Sequence, residues 1–331
     1  MDELKKVIMV ARILLLGKRG SLVLWLENLH RACVRLGHPA RFFAINGDTL
    51  ASRLRVKWQG HVSATNAVWM LARFERTLRE FQPDLVIVAG VFGVPLDHYR
   101  LLRGLPRRPV IAGLIGDRFP ADSRERANCC DRLYFTDTRF FAAAEAAGFT
   151  VPSCYLPLAV DPELFMPGHG SRHSELLFVA SRTEFRESVV RGLTLPARII
   201  GTDWRGLAYD RFHRVQNHKI SRPALIRFYQ HYGAVLNVRN EVNVDDGLNQ
   251  RSFEPLACGA VVLNDDLADL SRCFDPGQEI LVYRDAAELN ELIHRLQQEP
   301  DFGVRIARAG RRRILADHTY QHRIRFILNE L

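Results

Sequence analysis

Apolar positions along this chain come in two rhythms. Short unbroken runs suit strands buried on both faces, and longer stretches with an apolar residue every three or four positions suit helices. In the first half these are Arg12–Gly17 (RILLLG), a helical Ser21–His38, Ala40–Asn46 (ARFFAIN), a helical Asn66–Phe81 and Asp84–Gly90 (DLVIVAG). Pro109–Asp117 (PVIAGLIGD), Arg132–Asp137 (RLYFTD) and an Ala-rich helix Thr138–Ala147 continue the pattern. Strand and helix alternate, which predicts a parallel sheet covered by helices on both sides.

Tyr155–Gly170 (YLPLAVDPELFMPGHG) then gathers prolines and glycines, a composition that stops regular structure and marks a linker. The alternation restarts with Glu175–Ser181, Ala197–Trp204, a helix Arg222–Tyr232, Ala234–Asn240, Ala260–Asp265 and Glu279–Tyr283. A chain of 331 residues is long enough for two cores. The expected fold class is α/β, with two Rossmann-like, doubly wound domains facing a cleft. The expected bounds are 1–157 for the first domain and 158–310 for the second, with 311–331 a C-terminal helix crossing back to the first. In such folds ligands sit at the carboxyl ends of the strands, so the cleft is the expected site.

Charge adds an asymmetry to this picture. The net charge of +9 belongs to residues 1–157, which hold 23 Lys and Arg against 14 Asp and Glu; residues 158–331 hold 23 of each. A basic first half favours an anionic partner such as a phosphorylated lipid, an acidic glycan or a membrane surface. Nucleic acid is the least supported, since the basic residues are scattered and no recognition module is present. The six cysteines show neither a C-x-x-C spacing nor a histidine at metal-ligand distance, and they read as reduced thiols. Arg12 splits the apolar run near the N-terminus and no cleavage site follows, so a first buried strand explains it better than a signal peptide. No uncharged apolar run approaches membrane-spanning length. These features lead to the expectation of a cytoplasmic protein, with the inner membrane face as a place it could associate.

The densest chemistry lies in Asp245–Asp265 (DDGLNQRSFEPLACGAVVLND). Pro255 suits a first helical turn and Gly259 the residue after a helix end, which puts Glu254 at a helix N-terminus. There it could simply complement the helix dipole, an effect of about 0.3–1 kcal/mol. Its apolar neighbours Phe253, Pro255 and Leu256 argue for more, because a desolvated carboxylate needs donors and a diol supplies two.

That run, with the downstream FDPGQEILVYRDAAEL and ARAGRRRILADHTYQHRIRFIL, resembles the C-terminal donor domain of GT-B glycosyltransferases, in particular the CgeB-like branch first described from spore maturation. The linker LPLAVDPELFMP looks like the crossing between the two domains of that fold. The resemblance covers residues 155–326, and for the first domain only the strand and helix order supports it. It implies transfer of a sugar from a nucleotide-diphosphate donor to an acceptor, with no cofactor and no metal. Retention is slightly favoured, because many retaining members carry two glutamates separated by seven residues. Here Asp246 stands first and Glu254 second.

Carried over position by position, Glu254 would take the ribose hydroxyls and Asp246 would lie near the donor sugar. Gly247 would let the loop backbone approach the diphosphate, and Asn249 and Arg251 would line the donor pocket. Arg182 and Arg186 follow the first strand of the second domain, where basic side chains are needed to balance two phosphates. Arg186 is the preferred diphosphate contact, with a surface pair to Glu184 or Glu187 as its plain alternative.

In the first domain, Gly17 and Gly20 of the loop GKRGS lie by the cleft in the GT-B arrangement. Asp117 leaves a core strand toward it and is the candidate base or acceptor contact. None of the histidines is given a role. The rival readings are a GT-B epimerase or hydrolase, and a nucleotide-sugar binder without turnover. A nicotinamide dehydrogenase is disfavoured because no strand, G-x-G-x-x-G and helix unit occurs.

Overall fold

The chain alternates strand and helix from β1 (Ile13–Gly17) through β2 (Ala40–Ala44), β3 (Leu85–Ala89), β4 (Val110–Ile115) and β5 (Arg132–Phe135) to β6 (Ser153–Tyr155). These form one parallel sheet in the spatial order β2-β1-β3-β4-β5-β6. A second parallel sheet holds β7 (His173–Val179), β8 (Ala197–Ile200), β9 (Arg214–Gln216), β10 (Tyr232–Asn237), β11 (Val261–Asp265) and β12 (Leu281–Tyr283). Its order is β12-β11-β10-β7-β8-β9, the doubly wound order of dinucleotide-binding folds. The computed structural model describes residues 10–20, 25–47, 64–208 and 211–331; Ser21 of the GKRGS loop and the first turn of the helix expected from Ser21 lie outside them.

The period of two along a strand explains why these runs carry no polar position. Leu14, Leu16, Val86 and Val88 turn toward Met70, Phe74 and Leu78 of helix Ala64–Phe81. Ile13, Leu15, Leu85 and Ile87 turn the other way, toward Leu26 and Leu29 of helix Trp25–Arg35. Tyr320, Ile324 and Ile327 of the last helix, Tyr320–Glu330, join this second group, so the end of the chain packs on the first sheet. The break before that helix falls at His318–Thr319. The second sheet is likewise covered twice, by Tyr229 and Leu256 on one face and by Trp204, Leu289 and Ile306 on the other.

The α/β reading with two doubly wound sheets holds. Two strands were missing from it: β6 and β9 have three residues each, too few to show a period, and both lie at a sheet edge. β6 begins just before the proline-rich segment read as linker.

Helix Pro300–Asp317 buries a stripe of Phe302, Ile306, Gly310 and Ile314, one residue per turn. Gly310 sits where this helix meets the loop at Glu279 and the Leu256 side chain. A Cβ there would stand 2.3 Å from the Glu279 carbonyl oxygen and 2.8 Å from Leu256. Gly310→Ala is therefore expected to lower the unfolding free energy by about 1–3 kcal/mol through overpacking, measured by chemical denaturation. Gly206→Ala, where a Cβ would meet nothing within 4 Å, is expected to stay within about 1 kcal/mol of wild type or to stabilise.

Candidate functional site

The carboxyl edges of the two sheets face each other across a cavity of about 600 Å³. From the first sheet come Lys18 and Gly20 after β1, Gly90 after β3, and Gly116 and Asp117 after β4. From the second come Ser181 and Arg186 after β7, His218 and Lys219 after β9, Asn240 and Asn243 after β10, and the segment Leu248–Arg251. Glycines set the first wall. A Cβ on Gly17 would lie 2.5 Å from the Ala89 oxygen, and one on Gly116 would lie 2.3 Å from the Trp25 ring. The indole Nε1 of Trp25 is buried and has no hydrogen-bond partner among the described residues.

The second wall is held by a buried polar network at the strand ends. Asn237, the last residue of β10, donates through Nδ2 to Asn264 Oδ1 at 2.6 Å and Ser252 Oγ at 3.0 Å. Its Oδ1 accepts from Asn249 Nδ2 at 3.1 Å and Arg251 Nε at 3.0 Å. Asn237, Ser252 and Asn264 are completely buried, so a fully satisfied network of this kind fixes one geometry for the loop above it. Asn249 also accepts from the Arg251 amide at 2.9 Å and caps the turn Gln250–Ser252. Arg186 is buried and donates to the carbonyls of Ser181 at 3.0 Å and Val238 at 3.3 Å. Burial and the nearby Arg251 lower its pKa to about 10, which leaves it charged.

The lobes are latched behind the cavity. Asp137 Oδ2 accepts from the amides of Asp245 at 2.7 Å and Asp246 at 3.0 Å. Arg118 donates its amide to the Asn243 carbonyl at 2.8 Å and pairs with Asp245. Thr138 bonds the buried Asp269 through its amide and its hydroxyl, at 2.8 and 2.7 Å. On the linker, buried Asp161 receives Arg31 at 2.7 Å and Arg35 at 2.8 Å from the first lobe.

Glu254 begins the helix Glu254–Ala257, three residues past the cavity wall at Arg251, and keeps 8% of its surface. No donor among the described residues bonds its carboxylate. Burial pushes its pKa from the usual 4.5 up to about 8, against the opposing pull of Arg251 and Arg222. Arg222 Nη1 and Gln250 Oε1 are likewise buried without partners. A buried carboxylate, a guanidinium nitrogen and an amide oxygen all left unmet are costly for the empty protein and apt for a polar ligand.

The expected residues separate into two groups. Gly20, Asp117, Arg186, Asn249 and Arg251 line the cavity. Asp117 stands exposed at the cavity mouth; the surrounding walls raise its pKa, and a bond from Asn243 opposes them. Gly17 ends β1 behind the wall, against Ala89. Arg182 is exposed and paired with Glu187, which also takes Arg191; the pair imagined between Glu187 and Arg186 does not form. Asp246 does not line the cavity. Its amide is tied to Asp137 and its carboxylate faces Arg139 at 3.6 Å, so the acidic pair suggested by the spacing is not assembled at the wall. Gly247 makes its close approach to protein, since a Cβ would fall 2.7 Å from the Thr136 oxygen.

Lys18, His218 and Lys219 line the cavity unforeseen. Asn237 and Asn264 were missed too, although each follows a leucine near the carboxyl end of a buried strand, a polar residue where apolar ones are expected.

Residues 182–329 match the family described as glycosyl transferase-like. No curated protein matches the sequence. Sucrose-phosphate synthase from Thermosynechococcus elongatus superposes with a TM-score of 0.67 at 13% identity, over 97% of this chain and 98% of that one. Anabaena HepE in complex with UDP-glucose gives 0.66 at 11%, over 97% and 100%. The lipopolysaccharide outer core galactosyltransferase WaaB gives 0.60 at 14%, over 97% and 100%. The fold is that of the GT-B glycosyltransferases.

A raised carboxyl pKa makes folding favour the protonated acid, so stability conferred at low pH is lost as pH rises toward the folded value. Asp265, raised to about 6, and the buried His98 and His318, lowered to about 4, have finished titrating below pH 7. Between about pH 7 and 8.5, where Glu254 ionises in the folded protein, ligand-free wild-type protein is expected to lose stability. Glu254→Gln is expected to lose less over the same range, the remaining decline coming from the buried thiols of Cys33, Cys130, Cys258 and Cys273, which burial holds above their usual value. Denaturation midpoints measured across it check this.

Proposed function

We propose that the protein is a glycosyltransferase that takes a sugar from a nucleotide-diphosphate donor held by the second lobe and passes it to an acceptor on the basic first lobe. The unmet carboxylate of Glu254 carries this reading. Below about pH 8 it is protonated in the empty protein; once ionised it would accept from two donors, and it stands beside a cleft that presents Lys18, Arg186, Lys219 and Arg251. A ribose diol supplies those donors. The four cations would balance the diphosphate as the bond from the anomeric carbon to phosphate oxygen breaks, without calling on a metal ion. Asp117 would accept the proton of the acceptor hydroxyl as that oxygen bonds the anomeric carbon, and its raised pKa suits a base.

HepE, of like fold, is a complex with UDP-glucose by its description, which makes UDP-sugars the first donors to try. An anionic glycan or lipid is the acceptor class that fits the charge of residues 1–157. The likeness of the C-terminal motifs to the CgeB-like branch supports membership of that branch as part of this reading.

Thermal-shift measurement with UDP, GDP, CMP, dTDP and NAD tests the donor site. At 100 times the dissociation constant, the matching nucleotide is expected to stabilise by about 2.7 kcal/mol, and NAD not at all. Glu254→Gln is expected to weaken that nucleotide by about tenfold or more. Equal shifts in mutant and wild type would reject the ribose role. Asp117→Asn is expected to leave the shift intact and to lower the release of nucleoside diphosphate from the donor in the presence of acceptor. Unchanged release would reject Asp117 as the base, and no release by either protein would favour a binder without turnover.

A further inference from the structure

At the other end of the second sheet, the starts of β7, β10 and β11 open onto a separate cavity of about 440 Å³. This lies within the size range of small-molecule sites, roughly 300–1,000 Å³. Helices Ala286–Gln298 and Pro300–Asp317 form its outer side. Leu176, Val261, Ile293, Leu296 and Ala307 make its lining apolar, and no acidic residue belongs to it.

Three arginines stand in this lining: Arg172, Arg308 and Arg311. Arg172 is used by the protein, donating to the carbonyls of Tyr229, Tyr232 and Cys258. The other two are not. Neither Arg308 nor Arg311 has an acidic partner among the described residues, and Arg311 Nε is buried with no hydrogen-bond partner at all. Arg312, one position on, also lacks one, and with Arg308 it borders an adjoining hollow on the outside of the same helix.

Water leaves such walls unfavourably exposed, and a nucleotide finds only Ser174 and Gln297 there as neutral polar side chains for its base and ribose. Hydrocarbon gains from the apolar lining, while an unmet guanidinium gains from an anion that accepts its planar fork. Joined in one ligand, these two demands describe an amphiphile. We propose that this cavity binds a single-chain amphiphilic anion, its acyl chain against Leu176, Val261 and Leu296 and its carboxylate or phosphate head at Arg308 and Arg311. Gly259 of the lining lies two residues past the helix that Glu254 begins, so an occupant would sit beside the far end of that helix. The inference does not depend on the donor site, from which the length of the sheet separates it.

Calorimetric titration of the full chain with dodecanoate and dodecyl phosphate tests it, with dodecanol and inorganic phosphate as controls. Both amphiphilic anions are expected to bind, and each control to bind about tenfold or more weakly, because charged hydrogen bonds and apolar contact are both required. The double variant Arg308→Ala with Arg311→Ala is expected to lose about tenfold or more in affinity for the anions. Its melting point and nucleotide shift should stay as in wild type. Ala307→Phe, which fills the cavity without removing charge, is expected to weaken dodecanoate too.

Dodecanol binding as tightly as dodecanoate would reduce the site to a plain apolar void. Phosphate binding as tightly would reduce it to an anion site. Either overturns the proposal, as does an unchanged affinity in the double variant. Sedimentation with phosphatidylglycerol vesicles identifies the source. Retention that is lost in the double variant overturns the single-chain occupant in favour of a two-chain membrane lipid, whereas binding of dodecanoate without retention assigns the site to a free amphiphile.

Discussion

The amide of Asn237 organises the donor side of the cleft. It ends a strand that is otherwise apolar at its carboxyl end, in a position where an unsatisfied polar group costs about 1–3 kcal/mol. All of its hydrogen-bonding capacity is used: Nδ2 holds Ser252 and Asn264, and Oδ1 holds Asn249 and Arg251. The loop after β10 thus has one low-energy arrangement, and Arg251 is aimed by it. Everything that faces the cavity from this segment inherits its position from a side chain that never touches the cavity.

The same logic joins the lobes. Asp137 accepts from successive amides of the second lobe, and Asp161 accepts two arginines of the first. Acceptors with fixed geometry, each met by donors from across the gap, define the separation of the two walls more sharply than apolar contact does. The glycines match this spacing, since Gly247 lies where any side chain would meet Thr136 and Asp137. A cleft that must hold a charged donor against an acceptor benefits from walls that do not drift.

Against this satisfied background, the unmet groups stand out. Arg222 and Gln250 near the cleft, and Arg311 at the foot of the sheet, break the rule that buried polar atoms find partners, and Glu254 beside the first two is an acid to which no described donor bonds. Native proteins break local rules where a ligand completes them. The two groups ask for different chemistry. The first combines acid, base and amide, and the second sets guanidinium against hydrocarbon.

Alternating apolar runs determined the fold class, because burial of a strand on both faces requires a continuous apolar segment and that requirement is local. The same local reasoning picked out Glu254, a charge set among residues that seek the core, and Asp117, a charge at the end of a core strand. The edge strands β6 and β9 escaped it because three residues carry no period. Tertiary structure alone decided which loops meet. Lys18 and Lys219 are two hundred positions apart in the chain and line one cavity, while Asp246, next to a residue that faces the other lobe, is turned onto Arg139. Neighbours in sequence share a backbone, but a site is made by side chains brought together from distant strands, and their directions follow from packing that no single segment contains.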